Sequence, residues 1–170
     1  VRFMQDFSFL CEIARQAGFV NAGIIAVEKI PFDPGFRKAC EANQCGNYGK
    51  CWTCPPDVGE IDDLIRQAKQ YRWAVVYQTI GQLEDSYDFE GMMEAGSRHQ
   101  SNTRTFIQQT SKIGKGDFLH LSAGGCRCCA RCAKLDNQPC RFPDQALASL
   151  EAYGVAVSEL APKVHMKYVN

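Results

Sequence analysis

The chain has 170 residues, of which 45% are hydrophobic and 22% charged, and its formal net charge is zero. That length can bury an apolar core within one domain, and the composition is that of a folded chain rather than a disordered one. Balanced charge supplies no field to recruit nucleic acid or an anionic membrane surface, and the longest apolar runs, such as WAVVY, fall far short of a membrane span.

In chain order, residues 4–17 set Met4, Phe7, Leu10, Cys11 and Ala14 on one helical face, with Gly18 as the stop. Arg2, Asp6, Glu12 and Arg15 interrupt the apolar residues there, so the segment reads as an amphipathic helix and not as a secretory signal. A cytoplasmic protein is expected. AGIIAV, 22–27, is a buried-strand run. Asp33-Pro34 can cap and begin a helix that carries Phe36 and Ala39 toward Cys40. Residues 58–71 read as a helix through Ile61, Leu64, Ile65 and Ala68, and WAVVYQTI, 73–80, is the strongest strand.

The polar stretch 85–112 reads as a long helix with Met92, Met93, Ala95, Phe106 and Ile107 for burial. DFLHLS, 117–122, alternates like a strand. DQALASLEAYG, 144–154, reads as a capped helix ending at Gly154, and VAVSEL, 155–160, as a short strand. The expected fold is therefore α/β, a sheet of about four strands flanked by helices, one domain over residues 1–170. Two cysteine-rich loops, 40–56 and 124–143, interrupt it at element ends, where a rigid scaffold can hold an irregular segment.

Ten cysteines invite a disulfide framework. Disulfide-dense proteins, however, are secreted and short of core, whereas this chain has a core and no visible export signal. Most of its cysteines also fall in two compact groups, the habit of metal ligands. In the second group Cys126, Cys129 and Cys132 follow C-x2-C-x2-C, with Cys140 seven residues on and Pro143 close behind. One tight turn with this spacing reaches three irons of a cubane, as in bacterial ferredoxins. Gly124, Gly125 and Ala130 are small enough to bring backbone N–H groups near the sulfides. A single zinc, normally served by two separated pairs, is the alternative. Cys128 points away from its neighbour Cys129 and reads as a free thiol. Arg127, Arg131, Lys134 and Arg141 form a solvated basic loop on the plainest reading; alternatively their charge favours a reduced cluster or docks an acidic partner.

The first group offers Cys40, Cys45, Cys51 and Cys54 within fifteen residues, followed by Pro55 and Pro56, which stiffen the loop. Tyr48 and Trp52 either wall off solvent or, more simply, anchor the loop to the core. The combination C-x4-C-x2-Y-G-x2-W-x-C-P-P with a later A-G-G-C-x2-C-x2-C and C-R-F-P resembles an uncharacterised prokaryotic family described as predicted metal-binding proteins. The resemblance spans nearly the whole chain. It implies a metal or iron–sulfur protein of anaerobes, with Cys40, Cys45, Cys54, Cys126, Cys129, Cys132 and Cys140 as ligands. Cys51 and Cys128 stand where that pattern requires no cysteine. A site of three thiolates would leave one iron free for a small ligand.

Other chemistry is thin. His99, His120 and His165 are scattered, no phosphate-binding glycine loop is present, and Asp62-Asp63 and Glu84-Asp85 read as solvated helix positions. The expectation is two [4Fe–4S] clusters held by Cys40, Cys45, Cys51 and Cys54 and by Cys126, Cys129, Cys132 and Cys140, serving electron transfer to a redox partner protein. A small iron–sulfur enzyme acting on a small-molecule substrate at an open iron, and a zinc-stabilised structural module, are the alternatives. Neither a nucleic acid nor a membrane is expected as a partner.

Overall fold

The computed structural model describes residues 7–113 and 117–169. Five helices and one two-stranded antiparallel ribbon carry the described fold. Helix α1, Ser8–Gln16, leads into strand β1, Asn21–Ala26; α2, Phe36–Glu41, and α3, Ile61–Ala68, precede strand β2, Trp73–Gln78; α4, Phe89–Ser111, and α5, Val157–Lys163, follow.

The ribbon runs in register from Asn21 opposite Gln78 to Ala26 opposite Trp73, and at the Asn21 end the two side-chain amides hydrogen-bond at 3.0 Å. A two-stranded ribbon is marginal by itself in water, and this one is sandwiched. Ala22, Val75 and Tyr77 face Ala14, Ala17, Phe19 and Phe106, which belong to α1, the turn after it and α4. Ile25, Ala74 and Val76 face Val155, Leu160 and Val164 on and around α5. Burial on both faces explains why these strands read as continuous apolar runs instead of alternating ones. Gly23 lies where a Cβ would press to 3.3 Å from Val164, so the close seat of α5 depends on that glycine.

A third cluster joins Leu64 and Ala68 of α3 to Tyr153, with Leu119, Leu121 and Ala148 beside them. Here the expected strands 117–122 and 155–160 are corrected. Leu119 and Leu121 do turn inward, but the backbone pairs only at an isolated bridge, Ser122 to Ser149. The second run makes one bridge, Val155 to Phe32, and then winds into α5. Alternation reported burial; a ladder also requires a neighbouring strand along its length, and none is offered among the described residues. Only two of the four expected strands therefore form a ladder among the described residues.

The helix expected over 144–154 is reduced to a 3-10 turn, Glu151–Tyr153. The Ala148 carbonyl and the Leu150 N–H are taken by Ser122, at 2.8 and 2.9 Å, which breaks the helical bonding pattern. Gly154 closes the turn at φ 74°, with a Cβ position 3.1 Å from the Asp33 carbonyl, so both conformation and space select glycine.

Helix α1 buries Leu10, Cys11 and Ala14 as expected, while Met4 lies outside the described residues. Helix α4 is capped by Asp88, which accepts from the Gly91 N–H at 2.8 Å, and buries Thr103, Phe106 and Thr110. Met92 and Met93 are exposed, contrary to expectation, because burial on this helix is concentrated in its C-terminal half. Among the described residues no helix is long and apolar enough to cross a membrane.

Candidate metal centre

The first cysteine loop grows out of α2. Asp33 receives the Gly35 N–H at 2.7 Å, so the Asp-Pro pair turns the chain into the helix, whose last turn carries Cys40. Asn43, at φ 55°, then ends the helix and its side chain accepts from the Tyr48 N–H at 3.1 Å. Gly49, in the left-handed region, donates to the Pro55 carbonyl at 2.8 Å, and the Cys54 N–H reaches the Cys51 carbonyl at 3.0 Å. This folds Cys40, Cys45, Cys51 and Cys54 into one neighbourhood. Burial pushes the Cys54 thiol up to about 12, aided by Cys51, Cys45 and Cys40. Burial and Cys45 raise Cys40, against the pull of Arg37.

The second loop is irregular apart from a 3-10 turn, Ala133–Asp136, which Asn137 ends at φ 53°. Arg141 straps it by donating to the Arg131 carbonyl at 2.9 Å. Cys126, Cys129, Cys132 and Cys140 all line one small pocket, and Cys51 from the first loop lines it with them; Cys128, expected to point away from Cys129, lines the same pocket. Burial pushes the Cys126 thiol up to about 12, with Cys128 and Cys51 as further contributors. Cys132 goes the other way. Burial acts to raise it, yet the backbone N–H groups of Lys134 and Trp52, the Cys51 thiol and Arg141 together hold it below its ordinary value.

The two loops are thus docked on each other. Trp52 donates its indole N–H to the Gln138 carbonyl at 3.0 Å. The Lys134 ammonium lies 4.4 Å from the centre of the Trp52 ring and pairs with Asp57, both ends of that pair being largely shielded from water. Gly125 meets Asn47, whose amide nitrogen stands 3.4 Å from the missing Cβ. Trp52 therefore anchors one cysteine loop to the other. Cys51, only 8% exposed, sits at the seam, next to Cys54 on one side and Cys132 on the other.

Arg37 is the unexpected residue. It is 8% exposed, and its Nε and Nη2 are buried without a hydrogen-bond partner. An unpaired buried cation costs several kcal/mol unless an anion sits beside it. Its charge acts on Cys40, so a thiolate-ligated centre, which carries net negative charge, would supply that anion. Soft thiols, a buried counter-charge at the first loop and amide donors aimed at Cys132 in the second all fit a metal–thiolate group. All ten cysteines are free thiols. Among the described residues no three His, Cys, Asp or Glu side chains gather to hold a single metal ion. The thiols of the second loop instead stand around a pocket.

Sequence reasoning did not find Arg37, Asn47 or Asp57, since nothing local distinguishes a buried arginine from a surface one. His99 and His120 serve the body. His99 shares a 2.6 Å hydrogen bond with Thr79 and packs edge-on to Phe19, while His120 stacks on Phe118. Asp63 makes an exposed pair with Arg66; Glu84 and Asp85, expected on a helix, lie before α4, where Asp85 accepts from the Tyr87 N–H.

A family model described as "Predicted metal-binding protein (DUF2284)" matches residues 23–170. No curated protein and no solved structure matches the chain.

Proposed function

Because the chain belongs to this family of predicted metal-binding proteins, we propose that it is an iron–sulfur protein with two [4Fe–4S] clusters that carries single electrons. Cys40, Cys45 and Cys54, with Cys51, hold one; Cys126, Cys129, Cys132 and Cys140 hold the other. The observation that carries this reading is the meeting of two sets of soft donors at the buried Cys51. Bound there, such clusters accept and release one electron at a time.

The chain's own residues set charge, solvent access and assembly. Arg37 favours the more anionic state at the first set, and the amides of Lys134 and Trp52 do so at Cys132. The raised thiols Cys54 and Cys126 hold their protons until metal displaces them, so loading releases protons and weakens in acid. The exposed Cys45 is suited to a reducing compartment, hence the cytoplasm, and the exposed Arg127, Arg131 and Arg141 to an acidic redox partner.

One observation favours a second reading. Cys51 also borders the second pocket. If it serves there, Cys40, Cys45 and Cys54 leave one metal position open, and the protein is a small iron–sulfur enzyme. Iron and acid-labile sulfide on anaerobically purified protein decide the class, with about eight of each per chain expected. Stoichiometric zinc without sulfide would instead make it a zinc-stabilised module. Cys51→Ala decides between the first two readings. An intact first cluster in the variant, with a wild-type paramagnetic signal that cyanide shifts, would establish the open site.

A further inference from the structure

Beside the second cysteine loop lies a cleft of about 190 Å³, open to solvent on one side, that the metal reading does not use. One wall is α4, which presents Arg104 and Ile107; the other is the loop and the segment just after it, which present Arg127, Asp144 and Leu147. Its floor includes Cys126 and Cys128, which also line the cysteine pocket, so the two spaces share a wall.

Charge and shape define an occupant. Two guanidinium groups and one carboxylate face the cleft, a net charge of plus one. Among the described residues none of those three side chains makes a hydrogen bond or ion pair, so their groups are uncommitted. Arg127 has a prepared berth. A Cβ added at Gly96 would overlap its Nη1, so the guanidinium lies against the backbone of α4 where a glycine leaves room. Glycine inside a helix sacrifices helix propensity, and this one clears the space that Arg127 fills. Ile107 and Leu147 add an apolar surface between the charged groups.

We propose that this cleft binds a small organic monocarboxylate. Its carboxylate lies between Arg104 and Arg127, where guanidinium forks match the two oxygens. Its apolar body rests on Ile107 and Leu147, at the wall formed by Cys126 and Cys128. A cavity of about 150 Å³ accepts benzene, so in proportion the cleft encloses roughly eight non-hydrogen atoms of its occupant. The binding stands on the cleft alone; that the ligand lies beside a redox centre rests on the function proposed above.

The test is calorimetric titration of the anaerobically purified, metal-loaded protein with benzoate and with hexanoate, one flat and one flexible. At least one is expected to saturate a single site, with the matching neutral amide roughly tenfold weaker or worse. Arg104→Gln and Arg127→Gln are each expected to weaken binding about tenfold. Gly96→Ala, which evicts the Arg127 guanidinium while favouring the helix, should weaken it in the same direction with metal content unchanged. Arg131→Gln, whose partner Asp136 lies elsewhere on the loop, should have no effect. The proposal is overturned if neither acid saturates by about 20 mM, if amide and acid bind alike, or if the arginine and glycine variants bind as the wild type does. Carboxylate binding by a zinc-loaded, sulfide-free protein would sink the iron–sulfur reading and leave this one standing.

Discussion

The ribbon and its helices hold together differently from the two cysteine loops. In the body, Phe19, Ile25, Phe106 and Val155 are almost wholly buried, and the backbone is satisfied by a six-residue ladder and by helices. In the loops the ordering contacts are single polar ones: Trp52 to Gln138, Lys134 to Asp57, Asn43 to Tyr48. The body needs nothing added, since burying a large apolar side chain contributes about 1.5–3 kcal/mol. The loops keep their thiols unoxidised and two buried nitrogens of Arg37 without a hydrogen-bond partner. A region that leaves a buried cation unpaired is completed by something it binds.

Five measurements break or sharpen this contrast. The largest effect belongs to the body. Phe106 packs on Tyr77 at 5.0 Å between centroids and on Ala14, Ala17 and Phe19, so Phe106→Ala should cost about 3–5 kcal/mol in urea unfolding. Stripping the metal should do the reverse in place: hydrogen exchange should quicken over 40–56 and 124–143 while the ribbon amides stay protected. Uniform loss of protection would erase the distinction between the two regions.

Arg37→Met should change sign with metal. It removes an unpaired buried charge, so the metal-free protein should gain about 1–4 kcal/mol. The loaded protein should lose cluster retention against a chelator. A variant that merely destabilises both forms would show that Arg37 has a partner other than a bound anion.

Trp52→Phe tests the seam between the loops. It deletes the hydrogen bond to Gln138 and weakens the stack under Lys134, a loss of about 1–2 kcal/mol felt as loosening of 124–143 more than of the body. Equal loosening of the ribbon would argue against a separate seam.

The smallest effect is a pH slope. Burial lowers His99 and His120 below their ordinary value of 6.5. Below that value the unfolded chain binds protons that the folded chain refuses, so stability falls as pH drops until the depressed folded values are reached. Above 6.5 this contribution is complete. Thermal midpoints across that window should slope less in His99→Gln than in the wild type, and an unchanged slope would mean the imidazole is not held neutral.

The strands at 21–26 and 73–78, the α4 helix and both cysteine groups were legible in the sequence, because periodicity and ligand spacing are local properties of the chain. So was family membership, through motifs at fixed offsets. What the sequence could not decide is which elements meet. Leu119 and Leu121 alternate as a strand would, yet among the described residues no strand runs beside them; Ala148 and Leu150 suit a helix, yet Ser122 takes their hydrogen bonds. Likewise Cys51, Cys126 and Cys132 are seventy-five or more residues apart by count from the first to either of the others, and no spacing rule joins them. Packing brought them to one wall, buried Arg37 beside Cys40 and laid Arg127 in the berth at Gly96. Those choices belong to the tertiary structure, since desolvation and charge pairing depend on neighbours in space and not in sequence.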